Sequence, residues 1–173
     1  MITNQQLRAT FLTPNMKYYF EKKFPHLSSE EVDMYLEELL KYLNMAVYCN
    51  GDIPFSKEVD EFWHYWILET EEYQDLCNKL HGKKFFHHSS NDYEEFSNKD
   101  AKSRKIEVNR GIEILVSYVL NYGDFEEDRI KHWPFTTKII EQFGWSLREF
   151  NAWLRSGFEN SGAQLISTLQ PER

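Results

Sequence analysis

Cysteine is scarce in this sequence, since only 2 of 173 residues, Cys49 and Cys77, are of this type. Two cysteines are too few for a disulfide framework, and both lie in helical patterns where a thiol behaves as a small hydrophobe. Glycine and proline are also few, with 7 and 5 residues. Their low number disfavours turn-dense all-β architectures and favours helices.

Long apolar runs and an excess of positive charge are missing as well. No stretch of about 18 apolar residues occurs, and the N-terminus has no signal-peptide core. We therefore expect a cytoplasmic protein without a membrane segment. The formal net charge of −8 repels phosphate backbones and anionic lipids, which disfavours nucleic acid as a general partner. Glycine-rich phosphate loops, nucleophile elbows and Cys-x-x-Cys pairs do not occur.

Apolar and aromatic side chains, in contrast, are abundant at 41% and 16% of the residues. This is too much apolar mass for a disordered chain, so the protein should fold. We expect one all-α domain over residues 1–158 and a polar C-terminal tail over residues 159–173.

Capping signals divide the chain into amphipathic helices. Ser28 and Glu31 have capping-box spacing before an apolar stripe that should end at Asn50-Gly51. Ser56 and Thr70 are candidate N-caps for the two helices of a hairpin that Gly82 ends. The remaining segments with helical patterns are 14–24, 104–122, a short one after Asp124, one closed by Gly144, and one capped by Ser146 with Glu149. The polar stretch 89–103 is expected to be a loop or lid.

Candidate chemistry concentrates in the hairpin and just after it, because four of the six histidines lie between Val59 and His88. Asp60 and His64 are four residues apart and therefore neighbours on one helix. A carboxylate that holds one imidazole nitrogen leaves the other nitrogen free to bind a metal or take a proton. His87 and His88 follow near the hairpin base, and because adjacent residues of an extended chain alternate in direction, at most one of them should meet His64.

A metal site and ordinary packing both fit these residues. Cys77 offers a soft ligand, so that a His/Cys/His set with Asp60 would suit zinc. Equally, His64 beside Asp60 is typical of a surface ion pair, and Cys77 on an apolar face is typical of core packing. We assign His26 and His132 to helix caps or the surface.

Residues 59–88 resemble the domain found near the N-terminus of plant glycine-rich domain proteins and in short bacterial relatives. The positions that carry the resemblance are Asp60, Trp63, His64, Tyr73, Cys77, Gly82 and His88. Where that family often has another His two residues after the first, this sequence has Trp66. Gly123 and Trp133 are similar to a Gly and a Trp that end the bacterial versions. The resemblance implies no particular activity.

The segment around Gly144 has the shape of a DNA-binding helix-turn-helix. Ser146 caps a helix that carries Arg148, Asn151 and Arg155. Residues 129–158 contain five Lys or Arg against two Glu, so this part is basic within an acidic chain. Packing positions on the same helix, and the overall negative charge, oppose this hypothesis.

These observations predict a single compact all-α domain with a central helical hairpin. The leading interpretation is a binding or adaptor module for another protein or a small molecule, with a functional face made of Asp60, Trp63, His64, Tyr73 and Cys77. The alternative is a zinc- or iron-dependent enzyme, in which Asp60 orients His64 and the metal ligands come from His64, Cys77, His87 and His88. DNA binding is the third hypothesis.

Overall fold

The computed structural model describes residues 1–46, 55–88 and 101–157, with side chains from residue 108 onward in the last range. These residues form eight α-helices and one 3₁₀ turn, and no strand occurs among them. The helices in chain order are α1 (Asn4–Phe11), α2 (Pro14–Lys23), α3 (Ser29–Met45), α4 (Lys57–Leu68), α5 (Thr70–Lys79), α6 (Ala101–Tyr122), α7 (Pro134–Phe143) and α8 (Leu147–Ser156), and the 3₁₀ turn spans Ile130–His132. The predicted all-α class is confirmed.

Side-chain caps set most of the helix starts. The capping boxes predicted for α3 and α8 are present, because Ser28 and Ser146 each exchange hydrogen bonds with the glutamate three residues on. Thr3 and Gln6 form a third capping box, and it starts α1, a helix that we did not predict. Gly123 and Gly144 follow α6 and α7 with positive φ angles of 97° and 64°, which glycine adopts without strain.

Three predictions of local structure were wrong. Thr70 is the first residue of α5, and Glu69 occupies the N-cap position without a side-chain hydrogen bond. That helix ends at Lys79, before Gly82, because Leu80 already has an extended backbone. The short helix expected after Asp124 is replaced by the 3₁₀ turn.

Some predictions fall outside the described residues. These are the Asn50-Gly51 helix stop, the position of Cys49, the polar stretch from residue 89 to 100 and the tail over residues 159–173. Within the described part, α6 begins at Ala101, earlier than the expected Arg104. None of the described helices combines the length and apolar character that a bilayer span requires.

α3 is the central helix, since it contacts α1, α2, α4 and α6. Four of its leucines are completely buried, namely Leu36, Leu39, Leu40 and Leu43. Burial of a leucine contributes roughly 1.5–3 kcal/mol. Aromatic rings extend this core, and Phe62 of α4 stacks on Phe24 at a centroid distance of 4.0 Å. The rigid packing of α4 on α3 fixes the helix on which the candidate site is built.

A buried carboxylate network also lies on α3. Both oxygens of Glu38 are used: Lys41 and Arg129 each donate to Oε1 at 2.8 Å, while Trp133 Nε1 and the Tyr118 hydroxyl donate to Oε2 at 2.8 and 3.0 Å. Burial raises the pKa of Glu38, but the pairing with Lys41 and the hydrogen bonds outweigh burial and hold that pKa below its usual range. Glu38 therefore stays ionised and joins α3 to the segments that follow α6.

His132 is part of the core and not of the surface, so our assignment was wrong for this residue. Its side chain is 2% exposed, and its ring packs edge-on against Tyr35 with centroids 4.5 Å apart. Burial lowers the pKa of His132, which favours the neutral imidazole. His26, in contrast, is exposed as expected.

Candidate metal centre

Helix α4 presents Asp60 and His64 one turn apart, outside its buried stripe. Ser56 caps this helix by accepting a hydrogen bond from the Val59 amide, and Phe62 and Trp66 are buried against the rest of the core. The pattern leaves the Asp60 side chain 26% exposed and the His64 side chain 48% exposed. Both groups are therefore held on a rigid helix with access to solvent.

The segment after α5 returns to α4 and brings His88 with it. Trp63 Nε1 donates a hydrogen bond of 3.0 Å to the Tyr73 hydroxyl, which in turn donates one of 2.8 Å to the backbone carbonyl of Phe86. Burial raises the pKa of Tyr73, so its hydroxyl keeps the proton that it donates. This relay ties the chain two residues before His88 to the hairpin.

Asp60, His64 and His88 meet at this point. One ligand atom from each residue lies within 4.8 Å of those of the other two. His88 Nε2 is 2.7 Å from Asp60 Oδ1, His64 Nδ1 is 3.4 Å from Asp60 Oδ2, and the two imidazole centroids are 4.2 Å apart. The His88 ring also packs edge-on against Trp63 at 4.6 Å. We call these three residues the acid–histidine cluster.

The hydrogen bonds of the cluster define which ring nitrogens are free. His64 Nδ1 lies 2.8 Å from the backbone carbonyl oxygen of Asp60, and because a carbonyl only accepts, Nδ1 carries the hydrogen. His88 Nε2 in the same way donates to the Asp60 carboxylate. In the neutral form of each ring, the lone pair then lies on Nε2 of His64 and on Nδ1 of His88.

The role of Asp60 differs from the sequence-based expectation. We expected its carboxylate to hold His64, yet the nearest acceptor for His64 is the backbone carbonyl, and the carboxylate is closer to His88. One residue thus orients two imidazoles, each through a different group. Orientation of this kind by a carbonyl or carboxylate is the usual support of histidine metal ligands.

The other residues of the predicted site lie beside the cluster or beneath it. Trp63 and Tyr73 are buried, at 3% and 1% exposure, and act through the hydrogen bonds described above. Cys77 is fully buried next to Tyr73 and is not one of the clustered ligands. His87 is exposed, packs on the Phe85 ring at 5.1 Å and also stays outside the cluster.

A cleft of about 530 Å³ opens beside the cluster. Its lining residues come from α4, α5 and the returning segment, and they are His64, Ile67, Leu68, Tyr73, Phe85, Phe86, His87 and His88. The apolar side chains Leu68 and Phe85 are 68% and 40% exposed. Leu68, the last residue of α4, was not among the predicted site residues.

The predicted helix-turn-helix segment corresponds to α7, Gly144 and α8. Arg148 is exposed, whereas Asn151 is buried and its amide both accepts from the Phe125 amide at 2.9 Å and donates to the Phe125 carbonyl at 3.0 Å. Arg155 pairs with Asp124. Two of the three side chains proposed to contact DNA are thus engaged within the fold.

The fold and the cluster together define an all-α protein with an acid–histidine cluster beside an apolar cleft. The chain belongs to the UCP032817-like family, an uncharacterised family whose profile matches residues 3–108. This range contains α1 to α5, the cluster and the cleft. No curated protein and no solved structure matches the sequence. The resemblance to plant glycine-rich domain proteins stays a prediction.

Proposed function

We propose that the protein is a binding module that depends on a transition-metal ion, held by Asp60, His64 and His88 at the wall of the cleft. The observation that carries this proposal is the placement of three ligand atoms within 4.8 Å of one another. Two imidazoles and a carboxylate from two different parts of the chain are a donor set that suits zinc, and also iron.

The separations between donor atoms in the acid–histidine cluster are compatible with a bound zinc ion. Two donor atoms bound to one tetrahedral zinc ion at ordinary ligand lengths lie about 3.4 Å apart. The Asp60 oxygens lie 3.4 Å from His64 Nδ1 and 2.7 Å from His88 Nε2, so an ion bound between them would take the place of the hydrogens on these two nitrogens and widen the shorter separation. Each neutral imidazole would then carry its hydrogen on the other ring nitrogen.

Three protein ligands are also the number found at zinc sites that keep a position for a further ligand. His64 and His88 both line the cleft, so an ion that they hold borders the space where such a ligand would enter. The ion would supply Lewis acidity there. The protein residues supply the three ligands and an apolar surrounding, through Ile67 and Phe86.

Isothermal titration calorimetry with zinc on protein purified without a histidine tag tests the proposal. We expect one zinc per chain, and an affinity at least 100-fold weaker in His88→Ala. His87→Ala is the matched control, because the neighbouring imidazole lies outside the cluster, and its affinity should stay within about twofold of the wild type. Wild-type protein that takes up no zinc would refute the proposal, as would equal losses in the two variants.

A protein-binding adaptor is the second candidate, because two large apolar side chains, Leu68 and Phe85, are exposed at the edge of the cleft. Exposed apolar groups of this kind favour contact with a partner. Under this hypothesis, Leu68→Glu should abolish capture of a partner from extracts while zinc binding is unchanged. Capture that is the same for Leu68→Glu and the wild type would count against it.

A further inference from the structure

The cleft beside the acid–histidine cluster has the size and lining of a small-molecule site. Its volume of about 530 Å³ lies within the range of roughly 300–1,000 Å³ that ligand pockets cover. Its apolar lining comes from Ile67, Leu68, Phe85 and Phe86, and its polar lining comes from His64, Tyr73, His87 and His88. A molecule that fills the cleft would need a hydrocarbon body and one polar end.

The charges around the cleft specify that polar end. None of the described residues that line it is Lys or Arg, and the carboxylate of Asp60 lies directly behind the histidines. An anionic group would therefore be repelled from the empty cluster, whereas a cluster that holds a divalent ion would attract it. Metal binding and the binding of an anionic end are coupled for this reason.

The exposed apolar side chains indicate how the body of the molecule would be bound. Leu68 and Phe85 are two of the six large hydrophobic residues that are exposed among the described residues, and both lie at the cleft. Each would lose contact with water if a hydrocarbon chain lay across it, and this burial is favourable in proportion to the apolar area covered.

We infer that the cleft binds medium-chain acids: the carboxylate, or a hydroxamate in its place, bonds the metal ion at the cluster, and the hydrocarbon chain packs on Leu68 and Phe85. The inference rests on the proposed metal site. It adds a ligand class and makes two side chains, distant in sequence from each other, responsible for chain-length selectivity. It needs no change in the fold, because His64, His88, Leu68 and Phe85 already line one cleft.

Calorimetric titration of zinc-loaded protein with octanohydroxamic acid and acetohydroxamic acid tests the inference. Both probes have the same head group, so only the chain differs. We expect octanohydroxamic acid to bind at least tenfold more tightly, a difference of about 1.4 kcal/mol. Phe85→Ala and Leu68→Ala should reduce this preference, with zinc affinity unchanged. Leu120→Ala is the matched control, since Leu120 is 50% exposed on α6 and does not line the cleft.

The outcomes separate the inference from the metal proposal. Zinc binding with equal affinity for the two probes would overturn the inference and leave the metal site intact. Octanohydroxamic acid that binds as tightly without zinc would also overturn it, because the head group would then have no role at the cluster. Absence of zinc binding would remove both proposals.

Discussion

Glu38 and Asp60 are carboxylates that each accept hydrogen bonds from neighbouring side chains, but they lie in different surroundings. Glu38 is fully buried, and both of its oxygens accept hydrogen bonds from side chains of the same fold. Asp60 is 26% exposed, and its two histidine neighbours each keep a ring nitrogen with a lone pair. A network that is satisfied internally holds the fold together, whereas one that keeps open donor atoms at a cleft can bind something else.

The largest expected effect is on stability and comes from the Glu38 network. In Glu38→Gln, Lys41 loses its anionic partner in the core, and Arg129 keeps Glu37 as its one buried carboxylate partner. Breaking a buried pair such as Glu38–Lys41 costs roughly 3–5 kcal/mol. Urea unfolding should show this loss. Glu113→Gln, at an exposed position in the middle of α6, is the control and should change stability by no more than about 0.5 kcal/mol. A loss in Glu38→Gln as small as in the control would mean that the network is not structural.

Substitution of His64, in contrast, should change zinc binding and leave the stability of the metal-free protein nearly unchanged. Because the side chain of His64 is 48% exposed, the free energy of unfolding of His64→Ala should lie within about 0.5 kcal/mol of the wild-type value when no metal is present. Zinc at a hundredfold excess over its dissociation constant should stabilise the wild type by about 2.7 kcal/mol and leave the variant unaffected. Unfolding curves with and without zinc measure both effects. Equal stabilisation of the two proteins would remove His64 from the site.

Tyr73 connects the two kinds of region, because it is buried like Glu38 and yet positions a cluster residue. Tyr73→Phe leaves Trp63 Nε1 and the Phe86 carbonyl without the partners they have now, which should cost about 1–3 kcal/mol. Zinc affinity should fall about tenfold, as is usual when the support of a ligand is removed. Tyr18→Phe, at an exposed tyrosine, should change neither. Unaltered zinc affinity in Tyr73→Phe would show that the relay does not position His88.

The smallest effect concerns pH. His132 has a pKa below its usual value of 6.5 because it is buried; Glu38 and Glu58 oppose that shift, and Lys131 and Arg129 reinforce it. The unfolded chain therefore binds a proton more readily than the folded protein, so stability is complete above pH 6.5 and is lost as the pH falls from there towards the lowered pKa. The free energy of unfolding should decline from pH 7 to 5.5, and less steeply in His132→Gln. Parallel curves for the two proteins would contradict this.

Local sequence signals predicted the fold well where they act within one helix. Capping boxes gave the starts of α3 and α8, and glycines gave the ends of α6 and α7. Thr3 and Gln6 carry the same signal, which marks the start of α1. The burial of Glu38 and His132 could not be predicted, because charged and polar residues normally indicate contact with solvent. The partners that accompany their burial are also far away along the chain: Arg129 and Trp133 for Glu38, and Tyr35 for His132.

The candidate site could be predicted in part. Four-residue spacing placed Asp60 beside His64, and alternation along an extended chain allowed one of two histidines to join them. That His88 is the one depends on the hydrogen bond from Tyr73 to the Phe86 carbonyl, and sequence does not show bonds to the backbone. The same holds for His64, whose nearest acceptor is a carbonyl and not the carboxylate.

Titration with cobalt(II), followed by visible absorption, tests the central claim most directly, because the ion replaces zinc and its spectrum reports the number and type of ligands. We predict saturation at one cobalt per chain, a four-coordinate spectrum without thiolate bands, and loss of that spectrum in His88→Ala but not in Cys77→Ala. A spectrum that stays that of the free aqueous ion at every cobalt concentration would contradict the account.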